Sequence, residues 1–258
     1  MAKELPKKRF DVNKLLEQEI SSYDSFTNKT TTWYGKVYFN PLSPWSWDCN
    51  HAHIINIDSN SEDAIRDIVQ FYRKYNIVPR IYMSFAENEV EILRPHLECQ
   101  RFTLDVDSRE FMIYPSQKMQ KADASSSIRR ITRVSEDIIE LIHTEERGDW
   151  SIDVINISLK DNRFHLLGTF DSDKCLSIAS VRIMDDYSRI ADVITHRNFR
   201  GQHYATELMS YLVNYHANIT NNCLYLWSHN PIAIKLYENV GFKKISINKT
   251  CWQAYLTD

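Results

Sequence analysis

Asn230-Pro231-Ile232-Ala233-Ile234-Lys235-Leu236-Tyr237-Glu238-Asn239-Val240-Gly241-Phe242 is a helix written with its own punctuation. Asn230 has the side chain of an N-cap, and Pro231 stands at the first helical position, where a missing N–H costs nothing. Gly241 suits the left-handed residue that ends a helix. Asn230, Ala233 and Tyr237 fall at i, i+3 and i+7 and share one face, so the small alanine leaves a shallow groove between an amide and a phenol. Read alone, the same stretch is a well-capped amphipathic helix with a core tyrosine.

Working upstream, the next informative stretch is Val193-Ile194-Thr195-His196-Arg197-Asn198-Phe199-Arg200-Gly201-Gln202-His203-Tyr204-Ala205-Thr206. A strand ends, an Arg-Gly turn follows and a helix begins. The free N–H groups of a helix N-terminus, with the dipole behind them, hold phosphate without many charged side chains. Arg200 adds a charge-assisted contact. Any strand-turn-helix with one glycine shows as much, so this stretch too is weak alone.

In this order and at this separation, the two stretches together resemble the GCN5-related N-acetyltransferase (GNAT) family over about the last 130 residues. The family's pyrophosphate loop reads Q/R-x-x-G-x-G/A, and Arg200, His203 and Ala205 occupy its three marked places. Its later signature, N-x-x-A-x-x-x-Y-x-x-x-G-F, is met in full by Asn230, Ala233, Tyr237, Gly241 and Phe242. The resemblance implies acetyl-CoA as cosubstrate. Val193, Ile194 and Thr195 would pair through their backbone with the pantetheine arm. The amides of Arg200, Gly201, Gln202, His203, Tyr204, Ala205 and Thr206 would hold the pyrophosphate. Asn230, with Ala233 beside it, would contact the pantetheine near the thioester, and Tyr237 would protonate the departing thiolate, as a phenol with a pKa of about 10 is able to do. The acceptor amine attacks directly, with no nucleophilic Ser or Cys.

Two places depart from the pattern. His203 stands where glycine normally lets the backbone approach phosphate closely, which points to weaker cofactor binding. Some members that acetylate protein N-termini carry a glutamate five residues before the asparagine; that place here is Tyr225. Asp192, beside the cofactor strand, is the candidate base, with Asp185 and Asp186 behind it.

Further outward, the expected fold class is α/β (α+β): a mixed, mostly antiparallel sheet flanked by helices, with a second, smaller α/β domain at the N-terminus. The small polar run Lys121–Ser127 marks the expected boundary between domains 1–125 and 126–258. In the first half, expected elements are a helix at Val12–Ile20, strands at Trp33–Phe39, His53–Ile57 and Ile77–Phe85, and helices at Glu62–Tyr75 and Glu89–Cys99. Phe102–Val106 and Glu110–Tyr114 follow as a paired finish. In the second half come strands at Ile128–Val134, His165–Phe170, Leu176–Met184, Ile190–Thr195 and Leu224–Ser228, and helices from Ser135 to Glu146, Gln202 to Ala217 and Pro231 to Val240. Phe242–Ile247 with Trp252–Leu256 closes as a second pair. The halves echo one another under a shift of about 140 residues, which sets Phe102 on Phe242, Phe85 on Tyr225 and Leu97 on Tyr237. Under that shift Asn230 falls on Val90, Tyr237 on Leu97 and Arg200-Gly201 on Asn60-Ser61, so a first half related to the second has lost the cofactor site and would serve to shape the acceptor pocket.

Composition adds exclusions. A net charge of −3 argues against nucleic acid as the main partner. The five cysteines lack metal spacing and read as reduced thiols. His51 and His53 lack a third ligand at metal spacing, so no metal is expected. The charged first ten residues are no signal peptide, and no apolar run is long enough to span a membrane, which together point to a cytoplasmic chain without membrane partners. A homodimer is compatible with the sequence. The leading reading is an acetyl-CoA-dependent N-acetyltransferase acting on the primary amine of a small molecule. The alternatives are a protein or peptide N-acetyltransferase and a non-catalytic acyl-CoA-binding module.

Overall fold

The computed structural model describes residues 10–57, 60–115, 127–144 and 148–256. In chain order its elements are α1 (Val12–Ser21), β1 (Asn28–Thr31), β2 (Gly35–Phe39), β3 (His51–Ile54), α2 (Ser61–Arg73), β4 (Arg80–Tyr82), α3 (Glu89–Cys99), β5 (Phe102–Asp107) and β6 (Glu110–Tyr114). Then follow β7 (Ile128–Ile131), α4 (Glu136–His143), α5 (Asp149–Ser158), β8 (Phe164–Asp171), β9 (Lys174–Ile183), β10 (Tyr187–Thr195), α6 (Tyr204–Ile219), β11 (Cys223–Ser228), α7 (Pro231–Val240), β12 (Lys243–Ile245) and β13 (Cys251–Leu256). The class is the expected one, mixed α/β with two mostly antiparallel sheets.

The larger compact unit combines the residues through Ser22 with Glu110–Ser246. Its sheet has the order β12-β6-β11-β10-β9-β8-β7, and only the β10–β11 pair is parallel. Apolar residues line both faces. On one, Leu208, Leu212 and Val213 of α6 and Ile234, Tyr237 and Val240 of α7 meet Ala179, Val181, Ile190, Leu224 and Leu226. On the other, Ile138, Leu141 and Ile142 of α4 and Ile155 of α5 meet Leu166, Ile178 and Ile194. Helix α1 belongs to this unit. Asp11 caps it by accepting from the Asn13 and Lys14 amides, and the Tyr187 hydroxyl donates to the Asp11 carbonyl at 2.6 Å.

The smaller unit is Tyr23–Arg109 with Ile247–Asp258. Its sheet has the order β1-β2-β3-β4-β13-β5, with β3–β4 the parallel pair. Helices α2 and α3 pack on one another, on β3 and on β5. The two units therefore repeat one pattern: β3-α2-β4-α3-β5 matches β10-α6-β11-α7-β12, each with one parallel pair and one foreign strand inserted before the last.

That inserted strand corrects two expectations. Phe102–Val106 and Glu110–Tyr114 do not pair with each other, and neither do the last two strands. Instead β13 lies between β4 and β5, and β6 lies between β11 and β12. Each repeat thus takes its next-to-last strand from the other half of the sequence, and the chain does not divide at the single cut expected at 121–127, of which residues 121–126 lie outside the described ones. Strand propensity is local, whereas the partner is chosen by tertiary packing. The 140-residue shift holds in part. Leu97 and Tyr237 are both buried on equivalent helices, while Phe85 lies beyond β4 in a left-handed conformation, φ 61°. Three smaller differences stand out: α5 was not expected, α6 starts at Tyr204 rather than Gln202, and α4 ends at His143, with Glu146 outside the described residues.

Candidate active site

The site begins where β10 and β11 part. Their parallel ladder runs only from Tyr187↔Cys223 to Arg189↔Tyr225. Immediately beyond it a bulge interrupts β10. Ala191 faces Ser180 of β9 and Ile194 faces Ile178, so three steps on one strand answer two on the other. Asp192, at φ 51°, is the left-handed residue of that bulge. Extra residues of this kind bend a strand away from its neighbour. Val193–Thr195 therefore leave the β11 ladder, while Ile194 and Thr195 keep their partners on β9.

At the far end of β10 the chain turns through Arg197–Phe199 into α6. Gly201 (φ 75°) and His203 (φ 66°) both take left-handed conformations. A side-chain carbon built on Gly201 meets nothing within 4 Å, so conformation rather than crowding favours glycine there. His203 occupies the N-cap of α6 yet makes no side-chain cap bond. The first-turn amides of α6 are thus left without a side-chain cap, facing the turn. Arg200 folds back and donates from Nε to the Thr195 carbonyl at 3.3 Å.

Helix α7 forms the opposite wall. Asn230 is its N-cap as the sequence predicts, accepting at Oδ1 from the Ile232 amide at 2.9 Å and the Ala233 amide at 3.4 Å. Gly241 closes it at φ 109°. Tyr237 is buried, 7% exposed, with its ring 6.2 Å from that of Phe242.

These walls enclose a cavity of about 360 Å³ lined by both sequence stretches. Val193, Thr195, Arg200, Gly201, His203, Tyr204, Ala205, Thr206, Asn230, Ala233 and Tyr237 all line it. Three of the expected residues do not. Ile194 points through the alternation of the strand into the opposite core, Gln202 sits outside with its Nε2 3.5 Å from the Asn198 carbonyl, and Asp192 accepts from the Ser180 hydroxyl at 2.7 Å. Phe199, Ile232 and Leu236 also line the cavity. All three lie inside the quoted stretches but belong to no motif position.

One carboxylate escaped the sequence reading. Glu19, on α1 and 2% exposed, reaches β11 and accepts from the Tyr225 hydroxyl at 2.7 Å and the Trp227 indole at 2.8 Å. Its Oε2 also stands 3.2 Å from Arg189 Nε. No spacing rule links residue 19 to residue 225; only the packing of α1 on β10 brings them together.

Against known proteins, residues 132–242 match the model of the acetyltransferase (GNAT) family, whose members transfer acyl groups from acetyl-CoA. Among solved structures, the chain resembles a GCN5-related N-acetyltransferase from Kribbella flavida with a TM-score of 0.70 at 11% identity, covering 96% of each chain. It also resembles a functionally unknown conserved protein from Staphylococcus epidermidis, with a TM-score of 0.62 at 13% identity, over 90% of this chain and 94% of that one. At such identities the likeness is one of fold. No curated protein matches the chain. Among the described residues no helix is long and apolar enough to cross a membrane. Residues 132–242 of this chain therefore carry the match to the acetyltransferase (GNAT) family, within a chain whose fold is GNAT-like nearly end to end.

Proposed function

We propose that the protein transfers an acetyl group from acetyl-CoA to the primary amine of a small molecule. The observation that carries this reading is the cavity between β10, α6 and α7, whose walls contain nearly every motif residue. In this reading the β11-facing backbone of Val193–Thr195 takes up the pantetheine amides as an added strand would. The uncapped amides of Tyr204–Thr206, with the Arg200 turn, hold the pyrophosphate at the positive end of α6. Asn230 spends Oδ1 on its helix and offers its N–H groups to the pantetheine.

Tyr237 is assigned as the proton donor to the leaving thiolate. The amine nitrogen attacks the thioester carbonyl, the C–S bond breaks, and the phenol proton passes to sulfur. Asp192 is assigned as the base that accepts the amine's proton, through water, since its carboxylate is not part of the cavity wall. Most of the rate then comes from holding amine and thioester in line. The smaller unit holds no second acetyl-CoA in this reading. At its second and third positions α2 carries Glu62 and Asp63, where α6 has Ala205 and Thr206 ahead of Glu207, and negative charge there repels phosphate.

A peptide acceptor is the second reading. The small-molecule reading is preferred because position 225 lacks the glutamate of some protein N-terminal acetylating members, although Glu19 brings a carboxylate to the hydroxyl of Tyr225. Thiol release from acetyl-CoA, measured against polyamines, aminoglycosides, amino acids and peptides, decides between them. Release with one small amine class supports the proposal, release with peptides alone transfers it to the second reading, and none with any amine leaves acyl-CoA binding without catalysis.

A further inference from the structure

One face of the smaller unit's sheet is built from polar rings. Strands β3 and β4 run parallel, with Ala52 opposite Ile81 and His53 opposite Tyr82, so His51 and Arg80 are neighbours one step earlier. Alternate residues share a face, which sets His51, His53, Arg80 and Tyr82 side by side, with Tyr255 of β13 directly across from Arg80. His51 is 0% and Arg80 4% exposed. Tyr82 stacks on the His51 ring at 4.3 Å, and Tyr23 meets the same ring edge-on at 4.3 Å. The Trp47 indole covers the Arg80 guanidinium at 4.8 Å and rests 5.1 Å from the Tyr255 ring.

The hydrogen bonding of this cluster is incomplete in a specific way. Nε and Nη1 of Arg80 and Nε2 of His51 are buried without a hydrogen-bond partner. A guanidinium does not surrender its charge, and burying one without a counter-charge is costly. Burial, then the neighbouring His53, holds the His51 ring well below the usual imidazole range, so it is neutral. Its Nδ1 lies 3.2 Å from the Trp47 carbonyl and carries the proton, which leaves a lone pair on Nε2. The cluster thus presents donors from Arg80 and an acceptor from His51. A bare anion satisfies the first and not the second. An oxyanion that carries its own O–H satisfies both.

We propose that the smaller unit binds hydrogen phosphate, free or as a phosphate monoester, with one oxygen on Arg80 and its hydroxyl donating to His51 Nε2. Sulfate has the same shape and no proton to donate, so it discriminates this site from a merely basic one. The site is separate from the acetyl-CoA cavity and does not depend on the reaction proposed for it.

The test is local. The indole N–H signal of Trp47 in the full ¹⁵N-labelled chain, assigned through Trp47→Phe, is followed at pH 6, where inorganic phosphate carries a proton and a monoester with a second pKa of about 6 is about half protonated. Inorganic phosphate, glycerol phosphate, sulfate and acetate are compared at constant ionic strength. The expected result is a saturable shift with phosphate at a midpoint at least tenfold lower than with sulfate or acetate. Glycerol phosphate acting equally well identifies a monoester as the source, and acting only at tenfold higher concentration identifies free phosphate; both sustain the proposal. Arg80→Met, of similar length and uncharged, is expected to abolish the shift while acetyl-CoA titrates unchanged. Equal midpoints for phosphate and sulfate, or no phosphate shift in the wild type, overturn the proposal even if Arg80→Met does not fold.

Discussion

The Tyr225 hydroxyl donates to the Glu19 carboxylate at 2.7 Å, across 206 positions of sequence. With the Trp227 indole at 2.8 Å and Arg189 at 3.2 Å, Glu19 pins α1 to the strands that open the cavity. This buried carboxylate is costly to remove because the Tyr225 hydroxyl, the Trp227 indole and the partly buried Arg189 all share it. Glu19→Ala is expected to lower unfolding free energy by about 3–5 kcal/mol, and Tyr225→Phe by about 1 kcal/mol. Urea denaturation of both variants checks this, and equal, small losses would show the network to be incidental.

The exchange of β6 and β13 makes a second prediction. A fragment of residues 126–258 keeps the whole sequence motif yet lacks β6, the strand paired to both β11 and β12. It is expected to be insoluble or to unfold without cooperativity. A soluble fragment that binds acetyl-CoA as the full chain does would mean that β6 is dispensable.

His203 occupies a left-handed backbone that costs a side-chain-bearing residue roughly 1–2 kcal/mol. Replacement by glycine relieves that conformation and clears the approach to the first turn of α6. His203→Gly is expected to bind acetyl-CoA several-fold more tightly by calorimetry. Weaker binding would instead assign the imidazole a direct contact with phosphate.

Acid stability should report His216. Burial, and then the nearby His165, push its ring down to about 4, and its Nε2 is buried without a partner. The unfolded chain titrates near 6.5 and so holds a proton that the folded chain refuses between those values. Stability contributed by His216 is complete above about pH 6.5 and is lost as pH falls toward 4, by roughly 3 kcal/mol in all. Denaturation midpoints for wild type and His216→Leu should therefore differ in slope over that window and run parallel above it.

Much of this was legible in the sequence where the signal is local. Asn230, Pro231 and Gly241 delimit α7 to the residue, because caps and breakers act on their own neighbours. The sequence offers Val193, Ile194 and Thr195 alike as cofactor-binding, and only the folded strand sets Ile194 in the core and the other two on the cavity wall. What the sequence did not reveal depends on distant partners. Nothing in Glu110–Tyr114 says that it completes the sheet of α6 and α7 rather than pairing with Phe102–Asp107, three residues away. Nothing in the amphipathic α1 announces that Glu19 is the residue it buries. The bulge at Asp192 was likewise silent, since an aspartate in a strand reads as a solvated end.

The most direct test of the central claim is a calorimetric titration of acetyl-CoA into the full chain and into Ala233→Trp, which fills the groove between Asn230 and Tyr237. One-to-one binding to the wild type, lost in the variant, is the expected result. Absence of binding to the wild type, or undiminished binding to Ala233→Trp, would contradict placement of the cosubstrate between β10, α6 and α7.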